Sequence, residues 1–293
     1  MTELIQLGKS TYYIDLPSKV GIYEFAPGRV ILIDTSTADA ARKIEAVLEE
    51  RGWKPEYIVN THSHVDHVGC NNFLQAKYGC MAYAHEVEAS FIKEPLMAAC
   101  FLYGGHPYKI MRHSFLMAKP SKCEDLALCP LPEGFETFLL SGHAMGMTAV
   151  RTPDNIWFVG DIATSEEILN KYHIAFTYDP GEYLKSLDTA LTLKGDMFVC
   201  AHAEPVKDLG PLIEFNRRKM EDIMDNVINI CRSDPQSFEH IFKGVSDHYG
   251  LELNFMLAAN AGSAVRSVIS TLVDARRLKS AVQDNIVVYS ALL

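Results

Sequence analysis

The run Thr61-His62-Ser63-His64-Val65-Asp66-His67 sets three imidazoles and a carboxylate within positions 62–67, directly after the short apolar segment Tyr57-Ile58-Val59-Asn60. In an extended chain, side chains alternate with a period of two, so His62 and His64 point the same way and can grip one ion together. Asp66 and His67 follow once the chain turns, and they can address a second ion at about 3.5–4 Å, the spacing usual in two-metal sites. With 11 histidines in 293 residues, such a string arises by composition alone roughly once in a thousand chains of this kind. The donors are nitrogen and oxygen only, which suits zinc first and also admits iron or manganese.

Three further segments, Ser141-Gly142-His143, Gly160-Asp161 and Ala201-His202, each place one ligand-type side chain where an apolar strand pattern ends. Each is weak alone, because a single buried histidine is more often a hydrogen-bonded core residue. Around them the chain reads as alternating strands and helices. Val20 to Phe25 and Val30 to Ile33 flank a Pro27-Gly28 turn as a hairpin, closed by Asp34. Helical stripes run over Asp39 to Arg51 and Asn71 to Tyr78, ending at Gly52 and Gly79. Strands are predicted at Cys80 to Ala84, Glu136 to Leu140, Thr148 to Arg151, Ile156 to Val159 and Met197 to Cys200, with a helix over Tyr183 to Leu193. The Met- and Phe-rich stretch Glu86 to Cys129 reads as a helical excursion, and the whole pattern indicates an α/β protein. At Gly210-Pro211 the composition turns mostly helical, which divides the chain into 1–210 and 211–293. Helices are predicted there at Leu212 to Cys231, Ser237 to Tyr249, Leu253 to Asn260 and Ser263 to Leu278, with a terminal strand at Ile286 to Tyr289.

The net charge of −10 disfavours a general affinity for nucleic acid or an anionic membrane, since both require clustered Lys and Arg. The N-terminus has no basic region before an apolar run, and no segment reads as a membrane span, so the expectation is a cytoplasmic protein. Seven cysteines without a C-x-x-C pair suit reduced thiols.

The seven positions resemble the H-x-H-x-D-H, H, D, H pattern of the metallo-β-lactamase superfamily, in order and spacing, over about Lys19 to Glu204. The resemblance implies a four-layer αβ/βα sandwich with two divalent metals at one edge of its sheets. It implies His62, His64 and His143 on the first metal, Asp66, His67 and His202 on the second, and Asp161 bridging. Asp34 matches the family's aspartate at the end of an early strand, which supports the ligand loop without binding metal. The implied chemistry is hydrolysis by a metal-bridging hydroxide, with Asp66 orienting it and shuttling a proton.

Departures from subfamily patterns bear on the substrate. Asp161 argues against β-lactamase activity, and retention of His64 argues against the oxygen-reducing flavodiiron branch. Quorum-signal lactonases carry a Tyr where Thr164 stands, and hydroxyacylglutathione hydrolases continue G-H-T-x-G-H where this chain has Gly142-His143-Ala144-Met145-Gly146-Met147. The preferred substrate is a small ester, thioester or lactone, and Thr164, Lys171, Tyr172 and His173 are candidate pocket residues. The tail resembles the small winged-helix appendage of the lactamase-β-like branch, which includes ribonucleases, so a metal-dependent ribonuclease or phosphodiesterase is the runner-up. The segment from Leu212 onward carries about as many acids as bases, which favours a lid or homodimer surface over a nucleic-acid element. A degenerate, non-catalytic metal-binding module is the remaining alternative, and the intact ligand set argues against it.

Overall fold

Along the strand Arg29–Ile33, Val30 and Leu32 enter one apolar cluster while Ile31 and Ile33 enter another. That alternation marks a strand buried on both faces. The computed structural model describes residues 3–292. Its first sheet holds β1 (Leu4–Gln6), β2 (Thr11–Ile14), β3 (Val20–Ala26), β4 (Arg29–Ile33), β5 (Lys54–Val59), β6 (Met81–Ala84) and β7 (Cys123–Asp125), in that spatial order. Pairing is antiparallel as far as β4 and parallel from β4 to β7. The helices α1 (Ala41–Arg51), α2 (Val65–Val68), α3 (Asn71–Tyr78), α4 (Glu86–Lys93) and α5 (Leu96–Tyr103) belong to this half.

The second sheet holds β8 (Glu136–Leu139), β9 (Thr148–Arg151), β10 (Ile156–Phe158) and β11 (Met197–Val199), ordered β11-β10-β9-β8, with only β10 and β11 parallel. Helices α6 (Glu166–Tyr172) and α7 (Pro180–Ala190) connect β10 to β11. The remainder is α8 (Gly210–Ile230), β12 (Gln236–Ser237), α9 (Phe238–His248), α10 (Phe255–Asp274), β13 (Leu278–Gln283) and β14 (Ile286–Ala291), with a small antiparallel sheet in the order β12-β14-β13.

Three apolar layers separate these elements. Ile44, Leu48, Leu74 and Ile92 of α1, α3 and α4 cover one face of the first sheet. Ile31, Ile33 and Val59 meet Val150, Phe158 and Val199 between the sheets. Leu187, Val227, Ile241 and Leu272 of α7 to α10 cover the outer face of the second sheet, beside Ala149, Trp157 and Phe198. The result is the αβ/βα sandwich. Fully burying each such aliphatic side chain contributes about 1.5–3 kcal/mol.

Several local expectations are corrected. The excursion is helical through α4 and α5, but Cys123–Asp125 pairs in parallel with β6; three residues are too few for an alternation to register. The separate helices at Leu253 to Asn260 and Ser263 to Leu278 are one helix, α10, followed by a strand from Leu278. Gly262 reads as a break, yet it lies buried in α10, where a Cβ would meet the Phe238 and Phe242 rings at 3.8 Å. α10 is also long and apolar enough to cross a membrane by length and composition, which the sequence reading overlooked by splitting it. Its buried face, Ala261, Ala264, Val265, Val268, Ile269 and Leu272, joins the cluster under the second sheet. That cluster runs without interruption across Gly210.

A core shared across position 210 predicts one cooperative unfolding transition for the chain. Leu272→Ala, at a fully buried position, is expected to cost about 2–5 kcal/mol and to shift that single transition in urea. Two separable transitions, with only one shifted, would show independent units.

Candidate metal centre

Parallel pairing brings the C-terminal ends of neighbouring strands to one edge, where loops can converge. Asp34 follows β4, the His62 to His67 segment follows β5, Asp161 follows β10 and His202 follows β11, while His143 stands in the turn between β8 and β9. Two glycines shape that turn. Gly142 has φ +120 and a Cβ there would lie 2.2 Å from the Tyr183 backbone nitrogen; at Gly146 a Cβ would lie 2.4 Å from His85 Nδ1. His85 itself accepts from the Val87 N–H at the start of α4 and so caps that helix.

All seven candidate ligands come together, in three overlapping triads: His62, His64 and His143; His62, His67 and Asp161; Asp66, His67 and His202. Within each, the donor atoms lie within 4.8 Å of one another. In the first, His64 Nδ1 lies 2.9 Å from both His62 Nε2 and His143 Nε2. Asp161 reaches both sides: Oδ1 lies 3.3 Å from His67 Nε2, and Oδ2 lies 3.4 Å from His143 Nε2 and 3.4 Å from His202 Nε2.

Asp34 organises this edge. It is buried in the left-handed region at φ 61, a conformation that Asp and Asn tolerate better than most residues. Its Oδ1 accepts from Thr61 N–H at 2.8 Å, and its Oδ2 accepts from the Thr61 hydroxyl at 2.7 Å and from His67 Nδ1 at 2.8 Å. With the Thr61 hydroxyl donating to Asp34, its oxygen is free to accept from His62 Nδ1 at 3.1 Å. His202 Nδ1 donates to the Pro17 carbonyl at 2.9 Å. Each of these bonds takes up the Nδ1 proton, so that the ring in its neutral form carries the lone pair at Nε2, as ligand imidazoles require.

Two atoms test whether a cation fits. His67 Nε2 and Asp161 Oδ1 are both buried without a hydrogen-bond partner, an arrangement that costs about 1–3 kcal/mol per group unless something satisfies it. An ion between them does so. Burial and the neighbouring imidazoles push His62 well below the ordinary histidine range, burial lowers His64, and burial lowers His143 to about 3. The first triad therefore offers three neutral imidazoles, the form that binds metal.

The second triad is charged. Burial opposes the proton on His67, but Asp161, Asp34 and Asp66 raise it well above the ordinary range; burial likewise opposes His202, which Asp161 and Asp66 raise to about 10. Burial alone would raise Asp66 and Asp161, yet His67 and His202 hold both carboxyls below the usual range. Asp66 is also the more open of the two, with 31% of its side chain exposed against 9% for Asp161.

The pocket candidates are placed differently. Thr164 is half-buried, and its backbone N–H and carbonyl both bond the Asn216 side chain of α8. Lys171 and Tyr172 are exposed at the end of α6, and the His173 ring stacks on Tyr249 at 5.0 Å. The ring that packs on the candidate ligands is Phe176, centred 5.1 Å from His64 and 6.1 Å from His143. Sequence reasoning missed Phe176, whose neighbourhood carries no periodic signal. It also missed Glu88, a buried acid whose spacing relative to His62 and His143 has no local signature.

The basic clusters of the C-terminal segment are largely paired. Arg217 meets Asp188 at 2.6 Å, Arg218 meets Glu214 at 3.5 Å and Arg277 meets Asp225 at 3.3 Å. All seven cysteines are free.

This fold is shared over nearly full length by solved structures. A metallo-beta-lactamase family protein from Thermus thermophilus superposes with a TM-score of 0.71 at 19% identity, covering 100% of this chain and 98% of that one. A beta-lactamase domain protein from Burkholderia ambifaria gives 0.73 at 18% identity, covering 99% and 94%. The sequence model of the metallo-beta-lactamase superfamily matches residues 14–202, and the chain belongs to that superfamily. Its members are mostly metal-dependent hydrolases that use divalent metals. A hydroxyacylglutathione hydrolase of Brucella ovis is 45% identical over 60 residues, which is 20% of this chain and 23% of that protein. The match thus spans under a quarter of that relative's length.

Asp34→Asn tests the ligand scaffold. Asn tolerates the left-handed backbone, but an amide NH2 facing His67 Nδ1 forces the ring's proton to Nε2 and removes the lone pair there. The variant is expected to fold and to bind one ion about 10–100-fold more weakly, read by competition with a chromophoric chelator. Unchanged affinity for both ions would show that Asp34 does not set the His67 tautomer.

Proposed function

We propose that the chain is a metal-dependent hydrolase that cleaves a small ester, thioester or lactone. The observation that carries this reading is the convergence of three imidazole nitrogens on one point, beside the unpartnered His67 Nε2 and Asp161 Oδ1. His62, His64 and His143 would hold one divalent ion and Asp66, His67 and His202 a second, with Asp161 between them, zinc being the first choice and iron or manganese the others. When bound, such ions acidify coordinated water and polarise a substrate carbonyl.

The chain's own groups supply the rest. Asp66, open to solvent and 3.0 Å from His202 Nε2, is the group that takes the proton of the attacking water and passes it outward. Phe176 forms the inner wall of the proposed pocket, and Thr164, Lys171, Tyr172 and His173 its outer rim. Tyr178 donates its backbone N–H to the His143 carbonyl and packs its ring 5.5 Å from Phe101 on α5. Around Phe101 the excursion exposes Leu96, Met97, Tyr103, Tyr108, Ile110 and Phe115. These apolar side chains suit an uncharged acyl group. The partial likeness to hydroxyacylglutathione hydrolases agrees with an acyl substrate. Nucleic acid is the less favoured ligand, because Arg217, Arg218 and Arg277 already have carboxylate partners.

Asp66→Ala is expected to lower turnover about 10²–10⁴-fold while the protein still melts cooperatively; full activity would assign the proton transfer elsewhere. The substrate class is read from metal-loaded protein offered thioesters, esters, lactones, a phosphodiester and single-stranded RNA. Hydrolysis of a carbonyl substrate supports the proposal. Metal-dependent RNA cleavage, with binding that falls by a slope of about 0.7 per phosphate contact in log–log salt titration and weakens in Arg217→Glu/Arg218→Glu, would replace it.

A further inference from the structure

Glu88 lies on the first turns of α4 and is 2% exposed. Its Oε2 accepts from the Ser63 backbone N–H at 2.9 Å and from the Ser63 hydroxyl at 2.5 Å, and its Oε1 accepts from the Gly146 N–H at 2.8 Å. Ser63 separates His62 from His64, and Gly146 closes the turn that carries His143. These two loops arise from different sheets, after β5 and between β8 and β9. One carboxylate therefore spans the only two segments that supply the all-imidazole triad.

We propose that Glu88 is a positioning residue for the candidate metal centre, clamping the His62-His64 loop to the His143 turn so that the three imidazoles converge. The inference rests on the metal-centre reading above. The geometry is over-determined on both sides of the clamp. Position 146 takes glycine because His85 packs where a Cβ would stand, which brings the backbone of the His143 turn close to the start of α4. Ser63 offers both its donors to a single oxygen. His85 is the N-cap of α4 and Glu88 lies in its first turn, so both contacts to the His143 turn come from the same helix end. Asp161 approaches both loops only through the ring nitrogens of His67 and His143, whereas Glu88 holds their backbone N–H groups; Asp34, which anchors Thr61 and His67, accepts from no residue of the His143 turn. Asp34 and Glu88 thus divide the scaffold: one orients imidazoles through their ring nitrogens, the other sets the distance between the two loops.

The test exploits the directionality of three donors facing one acceptor group. In Glu88→Gln one end of the side chain becomes an NH2 that faces either the Ser63 donors or the Gly146 N–H, so the clamp opens on one side with no change in size. Metal-free protein is titrated with cobalt(II) against a chromophoric chelator, and its visible spectrum and thermal melt are recorded. Glu86→Gln, an exposed neighbour on the same helix, is the control. The expected result is a 10–100-fold loss of affinity for one ion and an altered cobalt spectrum in Glu88→Gln, with a cooperative melt, while Glu86→Gln matches the unaltered protein. Ser63→Ala, which removes one donor and keeps the backbone bond, is expected to weaken the same ion by a smaller factor, and it decides the matter if Glu88→Gln fails to fold. Unaltered affinity and spectrum in a folded Glu88→Gln, or in Ser63→Ala where that is the deciding variant, would overturn the proposal while leaving the metal centre intact. Failure of the unaltered protein to bind cobalt would overturn the metal centre itself and the clamp with it.

Discussion

The carboxylate of Asp34 receives three donors at the point where β4 ends and the β5 loop turns away from the sheet, and the arrangement of the candidate centre follows from it. Thr61 is held by both its N–H and its hydroxyl, which fixes the entry of the histidine segment; His67 is held by its ring, and His62 through Thr61. A second polar network supports the same loop from behind. Asn60 donates to the His67 carbonyl, Asn71 donates to Asn60, and Thr35 donates to Asn71, all buried and all partnered. Such networks are stable only when complete, because in low dielectric each unmatched group costs the full desolvation penalty. Two unmatched atoms, His67 Nε2 and Asp161 Oδ1, stand at the place where the candidate ligands meet.

The two halves of the centre differ in charge before any ion arrives. Three imidazoles held neutral by burial stand on one side, and two protonated imidazoles balanced by Asp66 and Asp161 stand on the other. An ion entering the first half displaces no proton from its ligands, whereas one entering the second must. Asp66 is the ligand-type side chain of the second half that is most open to solvent.

The cluster of seven candidate ligands was legible because such a pattern is written locally: two histidines at a spacing of two, an acid and a third histidine after a turn, and single ligand-type side chains at the ends of apolar strands. Asp34 was legible for the same reason, closing a clear β-branched run. Glu88 and Phe176 were not, since their roles come from contacts with residues far away in sequence, and a lone acid on a helix has the same signature whether it faces water or a ligand loop. The sandwich was implied by the family resemblance, while the strand and helix pattern by itself indicated only an α/β protein; in the fold Trp157 of β10 faces one core and Phe158 the other. Short strands such as Cys123–Asp125 were lost because period-two patterns need more residues than three. α10 was divided at Asn260-Ala261-Gly262 because helix propensity penalises Gly, while in the fold that Gly is covered by α9 and the helix passes through it.

The central claim is that two ions sit at the edge of the two sheets, one among His62, His64 and His143 and one among Asp66, His67 and His202, with Asp161 between them. Anomalous diffraction at the absorption edge of the metal, from crystals of protein purified without chelator, tests it most directly. Two peaks are predicted, about 3.5–4 Å apart, one within each triad. Absence of any peak at these residues after soaking with zinc, iron and manganese in turn, or ions bound elsewhere, would contradict the account.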